Sequence, residues 1–291
     1  MHSLTLQSPA KLNLYLRVVG RYPDGYYQLV TLFHRISLAD TLHLIKRKQG
    51  FSLTCSNPDL AVDETNIVTR AYRLLQKRFP HLGGVSVQLT KKIPLGAGLG
   101  GGSSNAAFFL LGMKQLYRLP LTQTRLIRLG QALGADVPFF LYNTNQAVGR
   151  GRGDEIHPCP AKRRHWFVLI TFKEGLNTGE IYRNLPRKLT PVTLTKASHA
   201  VKITCDFLNS SSILAGNKFF QNDLQPVACK LRPAIQKMIV RMHQLGVSWA
   251  GMSGSGPTVF AVLSHQLEAK RLCEKWRYYL PPDSVFYCHS F

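Results

Sequence analysis

Hydrophobic and polar residues alternate in several short stretches of the first half of the chain. The runs LTLQS, KLNLYLRVV, DTLHLIK, FSLTC and VSVQLTKKI have the period of two that predicts β-strands. Three longer stretches, NIVTRAYRLLQKRF, SSNAAFFLLGMKQLY and TQTRLIRLGQALG, show the spacing of helices with an apolar face. The strands come in bursts and do not alternate strictly with helices, which indicates an α+β fold.

The second half of the chain predicts a separate arrangement of strands and helices. A strand over WFVLITF precedes an irregular middle that includes LTPVTLTKASHAVK, and a long helix is then predicted over residues 226–245. Strands over VSWAGM and PTVFAVL, a helix over residues 265–279 and a strand over SVFYCHS follow. This β-α-β-β-α-β order is that of a ferredoxin-like domain. The glycine-rich segment VGRGRGDEIHPCPAKRR lies before it, so we predict two domains, 1–160 and 161–291.

Composition narrows the class of protein. The chain has 291 residues, of which 45% are hydrophobic, enough for one large domain or two ordinary domains with real cores. The N-terminal segment lacks the pattern of a signal peptide, and the apolar runs are too short to span a membrane, so we expect a soluble, cytoplasmic protein. The six cysteines form no C-x-x-C pair and no Cys/His cluster, which favours reduced thiols over a zinc site or a disulfide framework.

The formal net charge of +22 would attract phosphorylated ligands of many kinds. Lysine and arginine residues are spread along the whole chain, with only short clusters such as KRK and KRR. A generally basic surface is therefore favoured over a dedicated nucleic-acid face. A basic nucleic-acid-binding protein is the alternative from another functional class, and steeply salt-dependent binding would reveal it.

The segment PLGAGLGGGSSNAAFFLLG, residues 94–112, places five glycines within seven residues at the start of a predicted helix. Glycine lets the backbone adopt positive φ and approach a ligand closely, and the N–H groups at a helix start attract anions such as phosphate. Ser103 and Ser104 could cap the helix and donate hydroxyls to phosphate oxygens. The chain has no Gly-Lys pair and no protein-kinase signatures, and the loop fits a Rossmann turn poorly.

Three further motifs accompany this loop: PAKLNL with Lys11 at the start of a strand, GADVPFF with Asp136 before an apolar run, and SGSGPTVF between two strands. In this order the four motifs resemble those of the GHMP family of small-molecule kinases, from residue 9 to about residue 260. The resemblance implies a two-domain GHMP-kinase architecture, with an N-terminal ribosomal-protein-S5-domain-2-like, ATP-binding catalytic domain and a C-terminal ferredoxin-like substrate domain. It also implies transfer of a phosphoryl group from ATP to a hydroxyl group.

Three segments indicate which members of the family the chain resembles most: GLGGGSSNAA, GRYPDGYYQLVTLF and GADVPFF. They are most similar to the members that phosphorylate 4-diphosphocytidyl-2-C-methyl-D-erythritol in the non-mevalonate isoprenoid pathway. Another GHMP acceptor, such as mevalonate, homoserine or a sugar, is the nearest alternative. The resemblance thus implies ATP and this small molecule as partners, with no membrane and no dedicated nucleic-acid site. We expect Mg²⁺ to be carried mainly on the phosphates, with unknown protein ligands.

The resemblance also implies roles for individual residues. Asp136 would be the general base that takes the hydroxyl proton, and Lys11 would be its partner. The family usually has D-G-Y-H where this chain has D-G-Y-Y, so Tyr26 would stack on cytosine and Tyr27 replaces the histidine that hydrogen-bonds the base. Tyr182 would be a second aromatic residue at the base, and Asn13 would lie near the acceptor. The residues implied for ATP are Asn66 near the nucleoside and Pro94, Leu95, Gly96, Ala97, Gly98, Leu99, Gly100, Gly101, Gly102, Ser103 and Ser104 around the phosphates.

Overall fold

The computed structural model describes residues 2–186, 192–210 and 220–291. The chain divides into two compact units. The first unit comprises Met1–Ala10, Leu38–Leu95 and Gly100–Asn143, and the second comprises Lys11–Ser37, Gly96–Leu99 and Thr144–Phe291. Two long strands, β1 (Ser3–Arg21) and β2 (Tyr27–Arg47), contribute residues to both units and pair with each other. The domain boundary near residue 160 stays a prediction, since a compact unit need not coincide with a domain.

The first unit contains a small sheet and four helices. Residues of β2 pair antiparallel with β4 (Gly84–Thr90), and β3 (Phe51–Cys55) runs parallel to β4 on its other side. The helices are α1 (Ile67–Arg78), α2 (Gly101–Tyr117), α3 (Gln123–Leu133) and α4 (Val137–Leu141).

Helix α2 packs many of its residues into the core because apolar side chains occupy much of its circumference. Ala106, Phe109, Leu110 and Met113 are fully buried. The leucines of β1 and β2 approach the bare backbone of α2 closely, since a Cβ on Gly112 would lie 2.4 Å from Leu44 Cδ1 and 2.7 Å from Leu6 Cδ1. This packing fixes the helix that follows the glycine-rich loop.

The second unit contains the ferredoxin-like arrangement that the sequence predicts. Its four-stranded antiparallel sheet has the order β10-β7-β9-β8. In this sheet Val168 pairs with Ala261 on one side and with Tyr287 on the other. The elements of this part are β7 (Trp166–Ile170), α5 (Thr178–Arg183), α6 (Leu194–Leu208), α7 (Gln225–Leu231), α8 (Pro233–Gln244), β8 (Trp249–Met252), β9 (Val259–Leu263), α9 (Gln266–Tyr279) and β10 (Val285–His289).

Three details of the second half differ from the sequence-based expectation. The helix expected over residues 226–245 is two helices, α7 and α8, because Pro233 has no N–H for a continuous helix. The middle expected to be irregular contains helix α6, whose buried residues Ala197, Val201, Cys205 and Leu208 recur at helical spacing. The segment NSSSI lies mostly outside the described residues.

The glycine-rich segment before residue 160 is ordered as a β-hairpin. Strand β5 (Gln146–Arg150) pairs antiparallel with β6 (Glu155–Pro158) and also with β2, where Thr31 faces Gly149. The turn between β5 and β6 has positive φ at Gly151 and Gly153. Within the described residues, the structure contains no helix with both the length and the apolar character needed to cross a membrane.

Candidate functional site

The glycine-rich loop, residues 94–104, has the backbone expected of an anion-binding segment. Every second residue from 96 to 100 is a left-handed glycine, with φ of +61° at Gly96, +72° at Gly98 and +67° at Gly100. Left-handed residues that alternate with ordinary ones can turn successive N–H groups towards one concave side. Helix α2 begins directly after Gly100. Within the described residues, no side chain caps the N–H groups at its start. A helix start of this kind presents N–H groups and the positive end of the dipole to an anion.

The two serines of the loop do not cap helix α2, so this prediction is wrong. The helix begins at Gly101, which places Ser103 and Ser104 inside its first turns and not before it. The side chain of Ser104 is fully buried, and its Oγ accepts a hydrogen bond of 2.8 Å from Ser8 Oγ. A contact of either hydroxyl with phosphate stays a prediction.

A buried carboxylate holds both ends of the loop within the first unit. Asp40 is fully buried, and its Oδ1 accepts hydrogen bonds from the N–H groups of Lys92 (2.8 Å) and Ile93 (2.9 Å), just before the loop. Its Oδ2 accepts a hydrogen bond of 2.9 Å from Asn105 Nδ2 at the start of α2 and forms an ion pair with Lys91. Asp40 therefore links the chain that enters the loop to the helix that leaves it.

The contacts of Asp40 continue to β1 and complete a group that we call the Asp40 cluster. Asn105 Nδ2 also donates to Ser8 Oγ at 3.0 Å, and Ser8 in turn donates to Ser104. Because the carboxylate has four donors, its burial costs little as long as all of them stay in place. The members of the Asp40 cluster are Ser8, Asp40, Lys91, Ser104 and Asn105.

The predicted catalytic lysine lies in a buried chain of hydrogen bonds within the second unit. Lys11 Nζ donates to Asn13 Oδ1 at 2.5 Å and lies 5.4 Å from the centre of the Phe33 ring. Asn13 Nδ2 donates to Thr31 Oγ1 at 2.7 Å, and Thr31 donates to the Tyr15 carbonyl at 2.7 Å. The structure therefore brings together two predicted site residues, Lys11 and Asn13, and fixes the orientation of the asparagine amide.

The Gly/Ser turn of SGSGPTVF contacts the middle of the glycine-rich loop within the same unit. Ser253 Oγ donates to the Gly98 carbonyl at 3.1 Å and accepts from the Asn13 N–H at 3.1 Å. The Lys11 N–H donates to the Leu99 carbonyl at 2.9 Å. A Cβ on Gly98 would lie only 2.5 Å from the Ser253 carbonyl oxygen, so the close approach requires glycine. Three of the four sequence motifs thus meet at Gly98 and Leu99.

Two predicted residues of the first unit are at helix starts. Asp136 is half-buried and precedes α4, and within the described residues its carboxylate caps no N–H group of that helix. Asn66 is the N-cap of α1, where its Oδ1 accepts from the Val68 N–H at 2.9 Å and its Nδ2 donates to the Ala61 carbonyl. Asp136 belongs to the first unit and Lys11 to the second, and their pairing stays a prediction.

The tyrosines expected near cytosine pair in a way that the sequence does not show. Tyr27 stacks on Tyr182, with ring centres 5.3 Å apart and an angle of 24° between the planes. Tyr26 is 60% exposed, and the Arg152 guanidinium lies 4.3 Å from the centre of its ring and forms an ion pair with Asp24. Because stacked rings lie about 3.5 Å apart, a base between Tyr27 and Tyr182 would need about 7 Å and the two rings would have to separate.

Sequence reasoning missed most of the residues that position the loop. One signal was available for Asp40, since an acid within the alternating apolar run SLADTLHL is costly to bury unless it has partners. Lys91 stands directly before the loop and could have been proposed as that partner. Ser8, Asn105 and Thr31 carried no such signal. Ser253 stands in the motif SGSGPTVF, but its contact with the loop could not be read from the sequence. Arg152, which lies beside Tyr26, also carried no signal. The described part of the chain contains no group of three or more His, Cys, Asp or Glu side chains that could hold a metal ion.

Comparison with known proteins identifies the family. The family model "GHMP kinases N terminal domain" matches residues 66–144, and "GHMP kinases C terminal" matches residues 207–281. The chain is 38% identical over 267 residues to 4-diphosphocytidyl-2-C-methyl-D-erythritol kinase of Syntrophus aciditrophicus (strain SB), covering 92% of each chain. It is 36% identical to the protein of that name from Moorella thermoacetica, covering 98% of this chain and 99% of the relative.

A solved structure of the same kind covers the whole chain. The crystal structure of a 4-(cytidine 5'-diphospho)-2C-methyl-D-erythritol kinase superposes with a TM-score of 0.83 at 31% identity, covering 99% of this chain and 100% of the other. The matches thus include both halves of the chain and the motifs from which the resemblance was inferred. The chain belongs to the GHMP kinase family and is an ATP-dependent small-molecule kinase.

Proposed function

We propose that the chain transfers the γ-phosphoryl group of ATP to a hydroxyl group of 4-diphosphocytidyl-2-C-methyl-D-erythritol. The observation that carries the phosphoryl-transfer chemistry is the glycine-rich loop, with its left-handed glycines, its uncapped helix and the buried Asp40 beside both of its ends. The acceptor is supported by the names of relatives that share 36–38% of their residues with this chain over more than nine tenths of its length.

In this proposal the loop holds the ATP phosphates mainly through backbone N–H groups. Residues 94–104 and the first turn of α2 supply the donors, and the hydroxyl of Ser103, which is only half-buried, can add one more. Phosphoryl transfer depends mostly on positioning and on neutralising charge, and a loop anchored at both ends provides positioning. Asn66 would lie near the nucleoside while its amide keeps the start of α1 capped.

The acceptor hydroxyl needs a base and an orienting group. We assign the base to Asp136, whose carboxylate is half-buried at the start of α4. Lys11 would orient the hydroxyl and balance negative charge, and Asn13 would keep the ammonium group in place through their 2.5 Å hydrogen bond. The cytosine would be bound by Tyr26, Tyr27 and Tyr182, which are aromatic and half-buried or exposed.

Magnesium fits this donor set as an ion carried by the nucleotide. The loop offers N–H groups and hydroxyls, which suit phosphate oxygens, so the metal would take most of its oxygen ligands from the phosphates. When bound, Mg²⁺ would neutralise the charge that develops on the transferred group. The two predicted domains, 1–160 for ATP and 161–291 for the acceptor, are supported by family-model matches on either side of residue 160. The cytoplasmic location stays a prediction.

The proposal is tested by incubating the purified chain with ATP, Mg²⁺ and a panel of acceptors. We expect ADP formation with 4-diphosphocytidyl-2-C-methyl-D-erythritol and a product heavier by one phosphoryl group in mass spectrometry. Mevalonate, homoserine and a hexose should give no product above the rate of ATP hydrolysis without acceptor. Faster turnover with one of these acceptors would overturn the proposed substrate while leaving the kinase family intact.

A further inference from the structure

Two cysteines of the second unit lie in contact, although 46 residues separate them in the chain. Cys159, which follows β6, and Cys205, in α6, have their sulfur atoms 3.5 Å apart. This is van der Waals contact, so one short movement of either side chain would bring the atoms to bonding distance. Both are free thiols in the structure.

The surroundings of the pair are polar and buried. Gln146 Nε2 donates towards Cys159 Sγ at 3.8 Å, and Gln146 Oε1 accepts from His34 Nδ1 at 3.0 Å. The ring of His165 lies 6.4 Å from that of His34. We call this group the His34 cluster, and its members are His34, Gln146, Cys159, His165 and Cys205.

The two thiols differ in exposure and in acidity. Cys159 is half-buried, whereas Cys205 is buried. The pKa of Cys159 lies below its usual value because the Cys205 thiol, Gln146 and the Val148 N–H donate towards its sulfur. The pKa of Cys205 is raised because its proton is held towards Cys159 and because it is buried. A thiolate reacts with peroxides whereas a thiol does not, so the more exposed Cys159 is the first to react.

We propose that Cys159 and Cys205 form a reversible intramolecular disulfide when the chain meets a hydroperoxide. The Cys159 thiolate attacks one peroxide oxygen, so that an S–O bond forms, the O–O bond breaks and, after proton uptake, one water leaves. The Cys205 sulfur then attacks the Cys159 sulfur, so that the S–S bond forms and the S–O bond breaks. The departing hydroxide takes the Cys205 proton and leaves as a second water. Two thiols are thereby oxidised by one hydrogen peroxide.

Of the other four cysteines, Cys229 serves as the comparison for this pair. The sulfur-to-sulfur contact of 3.5 Å sets Cys159 and Cys205 apart. Cys229 is half-buried like Cys159, but burial raises its pKa. We therefore expect Cys229 to react slowly, and Cys229→Ser is the matched control variant.

The test is a titration of the full chain with hydrogen peroxide, followed by mass spectrometry. We expect the intact mass to fall by two hydrogen atoms, the number of free thiols to fall from six to four, and a non-reduced digest to contain a peptide pair joined through Cys159 and Cys205. Because the bond closes a long loop, the melting temperature should rise by about 5 °C. A dithiol should reverse all four changes.

Serine variants separate the two steps of the reaction. Cys205→Ser should stop at a sulfenic acid on Cys159 that a 1,3-dione probe captures, and Cys159→Ser should abolish the fast reaction. Cys229→Ser should behave like the unmodified chain. The proposal is overturned if peroxide adds oxygen atoms to the unmodified chain without the loss of two hydrogens, or if the mapped disulfide joins other cysteines. These readouts use no substrate, so they are independent of the proposed kinase reaction.

Discussion

The Asp40 cluster and the His34 cluster are both buried groups of polar side chains, one in each unit, but they bury their polar atoms differently. The Asp40 cluster contains a full ion pair, and its carboxylate has four donors. The His34 cluster is built on neutral groups, and in the described residues neither His34 Nε2 nor His165 Nδ1 has a hydrogen-bond partner. The buried carboxylate of the Asp40 cluster is stable only while its donors stay in place. The histidines and thiols of the His34 cluster can instead take up protons or be oxidised.

The two clusters differ in the part of the chain that they hold in place. The charged cluster holds the loop that we propose to bind phosphates, and small displacements there would misplace a reacting atom. The neutral cluster lies among β2, β5 and α6, and none of its members is a residue to which we assign a role in phosphoryl transfer. We expect substitutions in the first cluster to change activity and stability together, and changes in the second to alter stability or redox state alone.

The largest effect on stability is expected from Asp40→Ala. It leaves Lys91 and the N–H groups of Lys92 and Ile93 without their shared acceptor, which should lower the free energy of unfolding by about 3–5 kcal/mol. Denaturant unfolding measures the change, and Asp59→Asn, at an exposed aspartate, is the control. An effect below about 1 kcal/mol would show that the cluster is not the anchor that we describe.

The His34 cluster should make stability fall at acid pH. Burial, together with the neighbouring His165, lowers the pKa of His34 to about 3 from an ordinary value of 6.5. Between these values the unfolded chain takes up a proton that the folded chain does not, so stability is lost as pH falls from 6.5 to 3. We expect about 2–4 kcal/mol of pH dependence over that range to disappear in His34→Gln, with the exposed His81→Gln as control. An unchanged profile would contradict a neutral, buried His34.

The loop itself can be tested by Gly98→Ala against Gly50→Ala. Both glycines are left-handed, with φ of +72° and +82°, but a Cβ would meet Ser253 at the first position and open space at the second. Backbone strain of about 1–2 kcal/mol is common to both variants. Only Gly98→Ala should raise the KM for ATP, by about tenfold or more. Equal KM values for ATP in the two variants would show that the close approach of Gly98 to Ser253 does not matter for ATP binding.

The smallest effect is expected outside both clusters, at the aromatic residues that we assign to cytosine. Tyr182→Ala removes the stacking partner of Tyr27, and an aromatic pair contributes about 0.5–1.5 kcal/mol. The KM for the cytidine-containing acceptor should rise about threefold to tenfold, while the KM for ATP should not change. Tyr278→Phe, on an exposed ring, should leave both constants unaltered. An equal rise in the KM for ATP would contradict a specific role of Tyr182 in binding the cytidine-containing acceptor.

Local patterns were sufficient to predict most of the fold. The ferredoxin-like order follows from short strands of period two and from turns rich in glycine and serine, which are local properties of the chain. Helix α6 escaped prediction because its threonines and β-branched residues obscured the spacing of Ala197, Val201 and Cys205. The break at Pro233 could have been predicted from the residue alone.

The sequence predicted those site residues that stand in contiguous motifs. Lys11, the loop and the Gly/Ser turn stand in contiguous motifs, and the structure brings these three together at Gly98 and Leu99. The Asp40 cluster joins residues from four distant segments, so only the fold could reveal it. The stack of Tyr27 on Tyr182, across more than 150 residues of chain, likewise depends on tertiary structure.

The most direct test of the central claim is the rate of ADP formation with ATP, Mg²⁺ and 4-diphosphocytidyl-2-C-methyl-D-erythritol, measured for the unmodified chain and for Asp136→Asn. Asp59→Asn serves as the control for loss of an acidic residue. We predict acceptor-dependent turnover in the unmodified chain and in the control. In Asp136→Asn we predict a loss of about 100-fold or more in kcat, with little change in the KM for ATP. Turnover in Asp136→Asn equal to that of the unmodified chain, or no acceptor-dependent turnover in any of the three proteins, would contradict the central claim.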